Sequence, residues 1–328
     1  MSGRACIESE IPFAGLNPDV ILDSVELYGL PIDGHLLALN SYENRVYQIG
    51  LEDRAPVIAK FYRPGRWSDE AIVEEHAFSL ELKARELPVA TPLPDHQGAT
   101  LVRHLDFRLA LFERLAGDWP ELDRPGRLSW LGRLLGRLHA VGAVTDFSYR
   151  ETFDVADLGA GARDFLLREG FLPMDLESRY ADLSRVILEQ IATSLAGIDY
   201  RPLRLHGDCH PGNVLWSRSG PAFVDLDDCR MGPAVQDLWM LLSGDHNDQR
   251  QQLDQLLEGY RLFHDFDQRE LHLIEALRSL RMIHYAGWLA RRWQDPAFPM
   301  AFPWFGDQIW WRRHLDDLAI QSELLMNE

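Results

Sequence analysis

The feature that most restricts the fold is one run past the middle of the chain. It reads Leu205-His206-Gly207-Asp208-Cys209-His210-Pro211-Gly212-Asn213-Val214-Leu215-Trp216, with Phe223-Val224-Asp225-Leu226-Asp227-Asp228 close behind. Gly207, Pro211 and Gly212 disfavour a helix and require a tight loop. The two apolar stretches that follow flank Ser217-Arg218-Ser219-Gly220, which predicts a hairpin. The pattern puts Asp208 and Asn213 on one loop and Asp225 at the end of an apolar strand. A lone Asp-to-Asn spacing is common, because both residues favour turns. The whole run is far harder to reach by accident.

Those residue types suit phosphoryl transfer to a hydroxyl. The reaction needs a carboxylate to orient the hydroxyl and accept its proton, which Asp208 supplies. It also needs oxygen ligands for Mg²⁺, a hard cation. Asn213 offers an amide oxygen, and Asp225 a full charge on a rigid strand. The catalytic loop of protein kinases has the same Asp-to-Asn spacing, with a metal-binding Asp on a later strand.

The rest of the chain supports two lobes. Asn17-Pro18 predicts a helix start, with Asn as cap and Pro in the first turn. Short β-like runs follow from His35 to Tyr62, a helix from Ser68 to Glu86, and strand-like runs near 100–103 and 107–112. Beyond Glu113 the spacing of Leu128, Leu131, Leu134, Leu135 and Leu138 is helical, and further helices are expected to about residue 325. The expected layout is α+β: a tail over 1–15, a sheet-bearing lobe over 16–112 and a mostly helical lobe over 113–328.

Composition excludes some functions. A net charge of −18 argues against sequence-independent nucleic-acid binding, which needs a basic face. No apolar run approaches the length of a membrane span, and the N-terminus lacks the pattern of a signal peptide. Cys6, Cys209 and Cys229 form neither metal spacing nor a disulfide framework, so a reducing cytoplasm is expected. Among 33 basic residues only Lys60 and Lys83 are lysines. The skew reads as coding bias and makes each retained lysine worth a question.

The run HGDCHPGN with its later strand Asp resembles the aminoglycoside-phosphotransferase and choline-kinase-like enzymes, which share the protein-kinase-like fold. NSYENRVYQ, VIAKFYRPGRW, EEHAF, FVDLDD, GPAVQDLWMLL and RRWQDPAFP resemble more closely the bacterial stress response kinase A family. The resemblance spans about residues 16–315. It implies a cytoplasmic Ser/Thr protein kinase of the envelope and oxidative stress response, using ATP and Mg²⁺, with a protein as acceptor. A monomer is expected.

The resemblance implies roles outside the loop. Lys60 would hold the nucleotide phosphates. Its carboxylate partner would be Glu74 or Glu75, with Glu75 preferred because Phe78 and Leu82 share its helix face. Alone, Lys60 also reads as a strand-edge lysine and the acids as a solvated face. The loop Asn40–Arg45 would cover the phosphates without the usual glycines, through Ser41 with help from Asn44 or Arg45. Glu113 would lie at the adenine, reading it through the backbone. Asp237 would brace the catalytic loop, and His206 would organise it. His210 is a candidate on the acceptor side. Cys209 and Cys229 read as buried filler, and the C-terminal Trp and Arg residues as core packing with Arg stacking.

Two other functions fit the same residues. One is a small-molecule kinase for an amino alcohol, homoserine or an aminoglycoside, with Asp227 and Asp228 attracting a cationic acceptor. The other is a non-catalytic nucleotide-binding module, which the presence of Lys60, Asp208 and Asp225 disfavours.

Overall fold

A computed structural model describes residues 11–326. The chain divides into two compact units, neither continuous in sequence. The first comprises residues up to Asp69, then Pro92–Arg114 and Trp293–Ala301. The second comprises Glu70–Thr91, Leu115–Arg292 and Phe302 onward.

The first unit is an antiparallel sheet with helices. Helix α1 (Pro18–Glu26) begins as the sequence predicts, the Asn17 side chain accepting from Val20 N–H at 3.0 Å. Strands β1 (Ile32–Ala38), β2 (Arg45–Leu51) and β3 (Val57–Phe61) follow, then β4 (Pro92–Leu93), β5 (Val102–His104) and β6 (Phe107–Glu113). The order is β1-β2-β3-β6-β4, with β5 also on β6. Ile21 and Val25 of α1 pack with Ile49, Ala59, Phe61, Leu109 and Leu111 in one apolar cluster. Phe13 joins it, so the end of the expected tail is part of this core. Cys6 and the rest of that tail up to residue 10 lie outside the described residues. A short helix, α9 (Ala297–Ala301), also belongs here.

The second unit is mostly helical, around α2 (Asp69–Ala84), α3 (Arg127–Gly142), α4 (Ala162–Arg168), α5 (Glu177–Gly197), α6 (Gln236–Trp239), α7 (His246–Tyr260), α8 (Ile274–Arg291) and α10 (Gln308–Met326). Between α5 and α6 run β7 (Leu203–Arg204), the hairpin β8 (Val214–Ser217) and β9 (Gly220–Phe223), and β10 (Met231–Gly232), paired with β7. Phe78 and Leu82 of α2 join the leucines of α3, the hairpin residues Val214 and Phe223, and Leu256 and Tyr260 of α7 in one core. Gly132 and Gly136 let α3 approach α7 closely: a Cβ on either would overlap the backbone carbonyl of Leu256 or Tyr260. Among the described residues no helix is long and apolar enough to cross a membrane.

Of the C-terminal aromatics Trp311 packs in the core as expected, while Trp304 is exposed. Trp311 is buried, edge-on to Tyr180, and Trp310 stacks on His314 at 4.9 Å between ring centroids. Arg292 lies over Trp288.

Candidate active site

The loop from His206 to Asn213 is held from beneath by Asp237. This fully buried carboxylate accepts from His206 N–H at 2.7 Å and from Gly207 N–H at 2.9 Å. It also meets His139 Nε2 at 3.1 Å, whose Nδ1 pairs with the Tyr260 hydroxyl at 2.8 Å. The expected brace is therefore present, and α3 and α7 position it. A buried charge bonded to this many donors is stable where a bare one would not be. Gly207 has φ +86°, and a Cβ there would overlap the Asp228 carbonyl oxygen. Only glycine lets the loop lie this close to residues 226–229.

His206 links the two halves of the run. Its Nε2 donates to Val224 O at 3.0 Å, next to Asp225. Val224 N–H in turn donates to Asn213 O at 3.0 Å. Asn213 donates its amide to Asp208 O at 3.0 Å, which leaves its side-chain oxygen as the remaining acceptor. Asp225 is exposed and has φ +59°, ψ +70°. That left-handed conformation costs a non-glycine residue about 1–2 kcal/mol, and the surrounding bonds hold it.

Among the described residues Asp208 has two side-chain partners. Arg281 Nη1, from α8, lies 2.7 Å from one carboxylate oxygen. His210 Nε2 lies 3.4 Å from the other. Since His210 Nδ1 accepts from Gly212 N–H at 2.9 Å, its proton is on Nε2, facing Asp208. Burial alone would raise the Asp208 carboxyl. The His210 bond and the Arg281 charge outweigh it and hold the group well below the usual carboxylate range.

Several expectations need correction. Glu74 does not lie on a solvated face: its carboxylate accepts from the backbone N–H groups of Ser148, Tyr149 and Arg150. Glu75 is buried as well and bonds Arg150 Nη2 at 2.7 Å, so neither acid lies on a solvated face. Asp227 is buried, with its carbonyl accepting from Arg150, and Asp228 bonds Arg230 at 3.2 Å. Asp227 is therefore not an open carboxylate for a cationic acceptor, while the Asp228 side chain is 32% exposed beside Arg230. Cys209 and Cys229 are fully buried, and burial pushes both thiols up, Cys229 to about 12, so neither is a ready thiolate.

In the first unit, Lys60 is buried on β3, between β2 and β6, with its ammonium 4.9 Å from the Tyr62 ring centroid. A central strand rules out the snorkelling edge lysine. Glu113 is the exposed last residue of β6, its backbone in register with Val57. Ser41 Oγ donates to Asn44 O at 3.2 Å. Asn44 and Arg45 do not reach outward to a phosphate. The Asn44 side chain accepts from Arg63 N–H, and Arg45 grips Asp295. Sequence reading missed Arg281 and Asp295 as partners of loop residues, and His139 and Tyr260 as the support behind Asp237. All are distant in sequence, and only the motif RRWQDPAFP hinted at one of them.

The comparisons with known proteins agree with this geometry. The profile of the phosphotransferase enzyme family, APH, matches residues 35–274. The chain is 43% identical over 317 residues to stress response kinase A of Escherichia coli K12, covering 97% of this chain and 96% of that one. It is 42% identical over 318 residues, with the same coverage, to the Salmonella typhimurium protein named serine/threonine protein kinase RdoA. Amicoumacin kinase hAmiN, solved in complex with AMP-PNP, Ca²⁺ and Ami, shares the fold at TM-score 0.68 and 20% identity, over 88% of this chain and 93% of that one. The chain belongs to the phosphotransferase enzyme family and, within it, to the stress response kinase A group: it is an ATP-dependent kinase.

Proposed function

We propose that the chain transfers the γ-phosphoryl group of ATP to serine or threonine hydroxyls of a cytoplasmic protein in a stress response, and that it acts as a monomer. The observation that carries the chemistry is the bonding of Asp208, Asn213 and Asp225 into one construction through His206 and Val224. The protein acceptor is inferred from the name of the Salmonella typhimurium relative.

Asp208 is the group that receives the acceptor hydroxyl. It stays ionised, so it offers an acceptor lone pair at any physiological pH. A phosphoryl transfer with a loose transition state asks for orientation more than for a strong base. Asn213 and Asp225 would hold Mg²⁺, which neutralises charge on the phosphates when bound. The donor set fits. Among the described residues no group of three or more His, Cys, Asp or Glu could hold a metal by itself. Magnesium characteristically takes one or two protein oxygens and completes its shell with phosphate and water. Lys60 is assigned to the phosphates, Ser41 to the phosphate-covering loop, Glu113 to the adenine and Glu75 to the support of Lys60.

The test is transfer of label from radioactive ATP to lysate proteins and to a panel of choline, homoserine and an aminoglycoside. Asp208→Ala should lower protein labelling by about 10²–10⁴-fold. Full transfer by that variant would remove Asp208 from its role. Label entering a small molecule and no protein would replace the acceptor class.

A further inference from the structure

We infer that Asp295 is the positioning residue for the phosphate-covering loop, an inference that rests on the role proposed for that loop. Its carboxylate is buried and receives two guanidiniums. Arg45 Nη2 reaches both oxygens at 2.8 Å, and Arg63 Nη2 reaches Oδ2 at 2.7 Å. The same two arginines hold the loop backbone. Arg45 Nη1 and Arg63 Nη2 donate to Tyr42 O, each at 3.0 Å. Arg63 Nε donates to Glu43 O at 2.8 Å, and Arg63 N–H donates to the Asn44 side chain at 3.0 Å. The Phe13 and Phe298 rings cover the guanidiniums, at 4.6 Å from Arg45 and 5.4 Å from Arg63.

This arrangement answers a physical problem. Loop carbonyl oxygens repel phosphate, and a loop without glycine has little freedom to turn them aside. Here the carbonyls of Tyr42 and Glu43 point to arginines. Buried Arg63 and half-buried Arg45 would draw the phosphates away from Ser41 and Lys60 unless their charge were met. Asp295 and Glu43, whose carboxylate lies 3.1 Å from Arg63 Nε, meet it together, and Asp295 joins both side chains in planar, multiply bonded geometry. Asp295 also accepts from Ala297 N–H at 3.1 Å, which ties its own position to the start of α9.

The test compares ATP kinetics of Asp295→Asn, Ser41→Ala and Ile49→Val with wild type. Ile49 lies in the core of the same unit and has no polar side-chain atom to offer these groups, so its variant controls for lost stability. Asp295→Asn should raise KM for ATP about tenfold, the equivalent of one lost charged hydrogen bond, with kcat within about threefold. Hydrogen exchange at residues 41–45 should quicken in Asp295→Asn and not in Ile49→Val. An unchanged KM in Asp295→Asn beside a raised KM in Ser41→Ala overturns the inference alone. An unchanged KM in both overturns the reading of the loop, and the inference with it. A KM rise of equal size in Ile49→Val reduces Asp295 to a stability residue and also overturns the inference.

Discussion

Lys60 and Lys83 occupy unlike surroundings. Lys60 is buried on a central strand, and Lys83 lies on the exposed side of α2 with its ammonium 3.2 Å from the Thr91 hydroxyl. A compact ammonium and a wide guanidinium are not equivalent where space is fixed. Lys60→Arg should cut phosphotransfer by about tenfold or more, the worth of one misplaced charged contact. Lys83→Arg should leave it near wild type. Steady-state rates of the two purified variants decide the matter, and equal rates would count against Lys60 as phosphate anchor. At this scale the sequence showed the loop acids and the lysine, because each belongs to a local pattern. It did not show Arg281 or Asp295, because a partner seventy or more residues away leaves no local trace. It also placed Asn44 and Arg45 on the wrong task, since a polar turn looks the same whether its side chains face out or in.

At the scale of elements, the short helix α6 carries Asp237 and is itself anchored by Glu270. This buried carboxylate accepts from Val235 N–H at 2.9 Å. Burial raises its pKa to about 7, against partial relief from that bond. Folding therefore favours the protonated form. The stability tied to this group is complete below about 4.5, its ordinary value, and is lost as pH rises through about 7. Glu270→Gln keeps an acceptor for Val235 and removes the charge. Its Tm should match wild type near pH 5 and exceed it near pH 8; a gap of the same size at both would exclude this account. Most helices and strands were legible from apolar periodicity, α3 and β3 most plainly. The helix expected over 234–243 proves to be only four residues long. Pattern alone could not locate its end, because the segment from 234 to 241 is buried on every side.

At the scale of the molecule, sequence order and spatial grouping diverge. Residues 70–91, lying between strands of the first unit in sequence, group with the second unit, because Phe78, Leu82, Leu87 and Val89 belong to its core. Residues 293–301 return to the first unit to supply Asp295 and Phe298. Such returns are invisible to a reading that proceeds along the chain. In a fragment of residues 1–114, Arg45 would lose Asp295 and Arg63 would keep only Glu43 as a carboxylate partner, a loss of about 1.5–3 kcal/mol. Thermal melting by circular dichroism should show a broad, low transition. Appending residues 293–301 through a flexible linker should sharpen and raise it, and Asp295→Asn in the appended piece should remove the gain. The same return has a consequence for biosynthesis. Domains generally fold as they leave the ribosome, N-terminal parts first. Here the ribosome must translate past residue 292 before the segment that completes the first unit exists. A nascent chain, or one cut short by a premature stop before residue 293, would carry Lys60, Asp208 and Asp225 yet lack the carboxylate that joins Arg45 and Arg63.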